Sequence, residues 1–135
     1  MTETLPATEP SIRVVMMPKD TNAHGTIFGG VILSYIDQAA AVEAKQHGAS
    51  FIVTVAMREI VFHHPVYVGD LVSFYTRLVR LGRTSITVAV EVFSQNGEGR
   101  GQRVKVTEAE ATFVNLDENR KPMPIAKKGE GGPGG

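Results

Sequence analysis

Asn22, the pair Gly29-Gly30 and Asp37 share one short stretch of the sequence, DTNAHGTIFGG, with the aspartate seven positions beyond the second glycine. A glycine pair that opens a helix leaves backbone N–H groups bare at the positive end of the helix dipole. Such an end holds an anion, or a carbonyl oxygen that becomes one. The same two glycines would equally serve close packing of helix and sheet, with no chemistry attached. Asp37 lies mid-helix, where a carboxylate has no capping role. On a helical wheel it falls beside Leu33, Ala40, Ala41 and Ala44, away from Ser34, Gln38 and Lys45. Small apolar neighbours predict a narrow, partly dry crevice, which raises a carboxyl pKa and suits general-base work. The competing reading is a plain helix-surface aspartate. Asn22 has an amide that can orient a carbonyl or a water, and it stands in a cluster where asparagine is ordinarily a turn residue. Glu43 falls on the core side of the same wheel and has no role that the sequence suggests.

Histidines 24, 63 and 64 invite a metal or base reading. No pair of them has the i, i+4 spacing of helical ligands, and no third ligand is apparent, so no metal site is expected. His63-His64-Pro65 reads instead as the end of a strand. Ser34 and Ser85 lack a G-x-S-x-G context, which leaves a serine triad unsupported. Leu81-Gly82-Arg83-Thr84-Ser85 suits a tight turn; it also offers Arg83 as a phosphate ligand, with Arg58, Arg80 and Lys105 as companions on neighbouring strands.

The elements that must position these residues follow from periodicity. Ile12 to Met17 is a short β-rich run ended by Pro18, and Lys19 to Phe28 is a loop rich in turn formers. A helix spans Gly29 to Gln46, with Ile32, Tyr35, Ile36, Ala39 and Ala40 on one stripe and Gly48 as its stop. After Gly48 the period changes from 3.6 to 2. Phe51 to Phe62, Asp70 to Leu81, Ser85 to Ser94 and Arg103 to Leu116 read as strands, with a hairpin turn at Asn96 to Gly101. Short connections imply antiparallel neighbours, hence an α+β domain with one helix on an antiparallel sheet. A single helix covers one face, while several strands are apolar on both. Self-association is the simplest remedy.

With 135 residues the chain fits one domain, expected over 12–124, between a flexible arm at 1–11 and a Gly-rich tail at 125–135. It has no cysteine, which removes disulfides, thiolate metal sites and a cysteine nucleophile and suits a reducing cytoplasm. Fourteen basic residues balance fourteen acidic ones, so no global field would draw nucleic acid or an anionic membrane. No signal peptide or membrane-spanning run is apparent.

The stretches MPKDTNAHGTIFGGVILSYIDQAA, VTVAMREIVFHHPVYVGD, LGRTSI and KVTEAEATFVNLD together resemble the hot-dog-fold acyl-CoA thioesterases, in their acyl-CoA hydrolase branch. The resemblance runs from about Ile12 to Pro124. It implies a long helix wrapped by a curved antiparallel sheet, dimers with a continuous sheet, and often hexamers built as trimers of dimers. It also implies hydrolysis of an acyl-CoA to a fatty acid and free CoA, with no metal or other cofactor. Carried over by position, Asp37 is the catalytic carboxylate and Asn22 helps position the thioester or water. Gly29 and Gly30 polarise the carbonyl. Gly82, Arg83, Thr84 and Ser85, with Arg58 and Lys105, meet the nucleotide end of CoA. Two other readings use the same fold: a dehydratase, which would need a His paired with an acid, and a non-hydrolytic acyl-CoA-binding regulator. Acyl chain length would depend on how the residues around Phe28, Tyr35 and Phe62 pack.

Overall fold

In the computed structural model, residues 9–96 and 101–126 are described. The elements are β1 (Ile12–Val15), a 3₁₀ turn (Pro18–Asp20), α1 (Gly29–Gln46), β2 (Ile52–Phe62), β3 (Leu71–Leu81), β4 (Ser85–Gln95) and β5 (Val104–Asn115). The expected helix is present with its expected ends. Lys45 stands in its last turn, and Gly48, at φ +104°, takes the left-handed conformation that stops it. The turn expected at Asn96 to Gly101 rests on residues 97–100, which lie outside the described residues.

All five strands form one antiparallel sheet in the order β1-β3-β4-β5-β2. β3, β4 and β5 pair in sequence, as short connections demand. β2 does not pair with β3. It crosses the molecule to lie along the far side of β5, with Ile52 opposite Asn115 and Phe62 opposite Thr107. The physical reason is in residues 63–70, which are taken up by the loop before the helix: Ile27 N–H donates to Val66 O at 2.8 Å, and Thr26 bridges to Tyr67. A segment held in this way cannot close a hairpin.

α1 lies on β3, β4 and β5. Ile32, Ile36, Ala39 and Ala40 are buried against Val72, Phe74, Val88, Val90, Val92 and Phe113, so the predicted stripe is the core contact. Tyr35 stands at the margin of this core, tilted against Phe74 with ring centroids 5.6 Å apart. Ile125, placed by sequence in the tail, is buried, and its N–H donates to Arg83 O at 2.8 Å, so the core extends one residue past the expected boundary. Along the β2 edge and the helix entrance the apolar residues Phe28, Val55, Ile60, Val61 and Phe62 are exposed. That is the two-faced apolarity a self-associating sheet requires.

Candidate active site

The loop that leads into α1 is held by its own polar groups. Asp20 is buried, and its carboxylate accepts from Met17 N–H at 3.0 Å and Lys19 Nζ at 3.1 Å. The Met17 N–H holds this carboxyl below its ordinary range against the opposing pull of burial, and Lys19 adds to the effect. The Asp20 carbonyl in turn accepts from Phe28 N–H at 2.8 Å, which fixes where the helix begins.

Asn22 sits at the centre of the loop. Its Oδ1 accepts from the N–H groups of His24 and Thr26 at 2.8 and 3.2 Å, and its Nδ2 donates to Thr26 Oγ1 at 2.9 Å. The turn role is therefore real, and one Nδ2 hydrogen is left over. His24 is exposed at the loop tip.

At the helix entrance Phe28 is extended and makes no side-chain cap. Val31 N–H bonds back to Phe28 O at 2.9 Å, while the N–H groups of Gly29 and Gly30 have no acceptor among the described residues. A Cβ on Gly30 would come within 2.7 Å of Phe28 Cε1, so the glycine leaves room for that ring. Beside Gly29 opens a cavity of about 310 Å³ walled by Ile27, Ile32, Phe62, Pro65, Val66 and Thr107, with His63 and His64 on its rim. Phe62 lines this cavity. Phe28 and Tyr35 do not.

Asp37 stands two turns further along α1, half-buried on the flank of the stripe, beside the fully buried Ala40. Its Oδ1 accepts from Thr54 Oγ1 of β2 at 2.7 Å, and no second partner is present among the described residues. Thr54 has no distinguishing sequence signal. It reaches Asp37 where the β2–β5 register shifts, between Thr54 and Ala56.

The residues expected at CoA are spread over the sheet. Gly82 N–H donates to Ser85 O at 2.8 Å, Thr84 O accepts from Asn115 N–H and Arg83 O from Ile125 N–H. The turn backbone is thus pinned while the Arg83 side chain stays exposed. Arg58 is exposed on β2, opposite Glu110. Lys105 lies at the other end of β5 from this turn, since Ser85 pairs with Val114 and Phe93 with Lys105. Some nine residues of strand separate them, about 30 Å, so one chain cannot bring Lys105 and Arg83 to one phosphate. Lys105 Nζ is instead held by Glu91 Oε2 at 2.8 Å and Glu108 Oε2 at 2.5 Å. Burial works against its charge, but the two carboxylates outweigh it and raise its pKa, and Lys105 correspondingly lowers that of Glu108. His63 Nε2 completes the group at 3.3 Å from Glu108.

Among the described residues no cluster of three or more His, Cys, Asp or Glu side chains could hold a metal ion, and no helix is long and apolar enough to cross a membrane.

Residues 24–100 match the thioesterase superfamily. The acyl-CoA thioester hydrolase YciA of Salmonella typhimurium is 41% identical over 126 residues, which cover 92% of this chain and 95% of that protein. Among solved structures, Cj0915, a hexameric hotdog-fold thioesterase of Campylobacter jejuni, superposes with a TM-score of 0.82 at 42% identity, covering 88% of this chain and 91% of that one. HI0827, a hexameric broad-specificity acyl-coenzyme A thioesterase, gives 0.85 at 36% identity over 96% and 91%. A single helix on a five-stranded antiparallel sheet, entered through an uncapped glycine pair, is thus the hot-dog fold, and the chain belongs to the thioesterase superfamily, in its acyl-CoA thioester hydrolase branch.

Proposed function

We propose that the protein hydrolyses acyl-CoA thioesters to a carboxylic acid and free CoA, in active sites shared between two copies of the chain. The observation that carries this is a distance. Gly29 and Asp37 are eight residues apart on one helix, about 12 Å at 1.5 Å per residue. Oxyanion donors must lie about 3 Å from the reacting carbonyl oxygen, and a base must be within hydrogen-bond reach of the water it activates. One straight helix cannot do both. A twofold axis that sets two such helices antiparallel can, by bringing Asp37 of one copy to the helix entrance of the other.

In this reading the thioester carbonyl accepts from the N–H groups of Gly29 and Gly30, which the fold leaves without partners. The acyl chain enters the cavity beside them, and the spare Nδ2 hydrogen of Asn22 orients the carbonyl or the water. Either Asp37 takes a proton from the attacking water and passes it to the departing thiolate of CoA, or Asp37 attacks the carbonyl itself, the thiolate leaves, and water then hydrolyses the resulting anhydride to free the acid and restore the carboxylate. Water and the chain's own groups suffice, so no cofactor is invoked. Arg83 in its pinned turn, with Gly82, Thr84 and Ser85, meets the phosphates, and Arg58 stands on the β2 edge where copies would meet. Lys105 reaches a phosphate only if a neighbouring copy brings it there. The exposed edge of β2 suits pairing of two sheets into one, and the hexameric relatives support assembly as a trimer of dimers. Net neutrality leaves nucleic acid and membrane without a part. The cysteine-free composition accords with work in the cytoplasm.

The test is release of free thiol from acyl-CoAs, followed by complementation. Inactive Asn22→Ala and Asp37→Ala proteins are unfolded together and refolded as a mixture. Random pairing makes half the dimers mixed, and each mixed dimer has one intact site, so about a quarter of wild-type activity should return. A mixture shown to be heterodimeric yet inactive would place both residues in one chain's site. Tight acyl-CoA binding by the wild type without thiol release would identify a binding regulator instead.

A further inference from the structure

Among the described residues one buried side-chain oxygen has no hydrogen-bond partner, Oγ1 of Thr107, on a residue with no exposed surface. Such an atom is costly to leave unpaired, and Thr107 is among the residues that line the cavity beside Gly29. Its placement is built into the strand. Along β5, residues 109, 111, 113 and 115 point inward in strict alternation, and the phase breaks at 106–107, where both Val106 and Thr107 are buried. Val92 of β4 is opposite Thr107 and Phe93 is opposite Lys105, so Val106 is an extra residue in the ladder. Its carbonyl accepts from the N–H groups of both His63 and His64, at 2.7 and 3.3 Å. Bulges of this kind re-aim a side chain beside a site. Here the extra buried residue is Val106, while Thr107 keeps the inward phase of residues 109, 111, 113 and 115 and shares the helix-facing side with its core neighbour Val92.

We propose that Thr107 is a specificity-determining residue, and that the cavity favours short acyl groups with a hydroxyl or keto oxygen on the chain. This rests on the reading that the acyl chain enters the cavity beside Gly29. Besides Thr107, the side chains that line the cavity are the apolar Ile27, Ile32, Phe62, Pro65 and Val66 and the exposed imidazoles of His63 and His64. A purely aliphatic chain would leave the Thr107 hydroxyl unpaired, whereas an oxygen-bearing chain pairs with it and is itself relieved of a desolvation penalty. Discrimination of this sort acts against the analogue that lacks the polar group. At about 310 Å³ the cavity is at the small end of ligand pockets, which favours short chains.

The experiment compares kcat/KM of the assembled enzyme for butyryl-CoA and 3-hydroxybutyryl-CoA, both enantiomers of the latter, in the wild type, Thr107→Val, Thr107→Ala and Thr107→Ser. Loss of one hydrogen bond should lower the hydroxybutyryl-to-butyryl ratio about fivefold in Thr107→Val and Thr107→Ala. Thr107→Ser, which keeps the hydroxyl, should hold the wild-type ratio. Thr107→Val removes an unpaired polar atom at nearly constant volume and should melt no lower than the wild type. If it fails to fold, Thr107→Ala reads the same ratio. An unchanged ratio in the valine or alanine variant overturns the proposal. So does an equal loss on both substrates, which would mean that the hydroxyl serves the thioester carbonyl or the fold. No thiol release from any acyl-CoA by the wild type would overturn the hydrolase reading itself.

Discussion

The two halves of α1 each carry a half-buried carboxylate, and they are finished in opposite ways. Glu43, near the helix end, has both oxygens engaged: Oε1 accepts from Thr76 Oγ1 at 2.7 Å, and Oε2 lies 2.6 Å from His47 Nε2. Thr76 in turn accepts from Ser11 at 2.6 Å, so one chain of bonds ties helix, β3 and the residue before β1 together. Asp37, in the half nearer the glycine pair, has one hydroxyl partner and an oxygen to spare. The entrance itself has N–H groups with nothing to bond. A carboxylate whose valences are all filled by its own chain is a fastener. One left half-filled, two turns from an uncapped helix entrance and bonded to the edge strand β2, has an oxygen free for a partner outside its own chain.

Substitution at the two carboxylates is the sharpest way to break that contrast. Asp37→Asn should lower kcat more than tenfold, at least about 1.4 kcal/mol of lost barrier stabilisation, with the melting temperature within a few degrees of wild type. Steady-state thiol release and calorimetry read the two quantities. An enzyme that keeps more than a tenth of its kcat would make Asp37 an ordinary surface residue. Arg83→Ala comes next and should raise KM severalfold with kcat nearly unchanged, because a phosphate contact is the same in ground and transition states. The increase should vanish for the acyl-pantetheine thioester, which lacks the nucleotide, and salt should weaken wild-type binding.

Glu43→Ala should do the reverse of Asp37→Asn. It leaves the Thr76 hydroxyl and His47 without their acceptor, at a cost of about 1–3 kcal/mol in stability and little in turnover. Thermal melting several degrees lower, at unchanged kcat on the folded protein, is the expected outcome. A large fall in kcat would extend the reactive half of the helix to its far end. The smallest effect concerns acid. Asp20 has a lowered pKa in the fold, so its contribution to stability is present above the ordinary carboxylate range and is lost as pH falls through the depressed value. Asp20→Asn should therefore flatten the acid side of the stability curve, read as melting temperature against pH below about 4.

These two carboxylates also mark how far the sequence could be read. Asp37 stood out because a lone carboxylate among alanines, eight residues past a glycine, breaks the amphipathic pattern, while its catalytic assignment came from the resemblance and not from the pattern. Glu43 breaks it too, but its partner Thr76 is far away in sequence, and only the packing of α1 on β3 brings the two together. The helix and the run of strands were legible from period alone. The crossing of β2 to β5 was not, because it depends on residues 63–70 being held by the helix-entry loop. Nor was the burial of Val106: strict alternation puts Thr107 inward with residues 109, 111, 113 and 115 and Val106 outward, and only the bulge buries both. Lys105 read as a companion of Arg83 at a phosphate because its partner Glu91 lies on another strand.

The order β1-β3-β4-β5-β2 bears on how the chain comes into being. A ribosome delivers β1, α1 and β2 first, yet β1 pairs only with β3, Ile12 against Phe74, and β2 only with β5, Ile52 against Asn115. No two strands in the first half of the chain can form a ladder with each other. The apolar stripe of α1 therefore leaves the ribosome with nothing to lie on, and the native sheet can start only when β3 has emerged to pair with β1. Pairings this distant in sequence close slowly and leave apolar surface exposed in the meantime. A nascent chain halted after β2 should show no strand-protected amides in hydrogen exchange, and one halted after β5 should show them throughout.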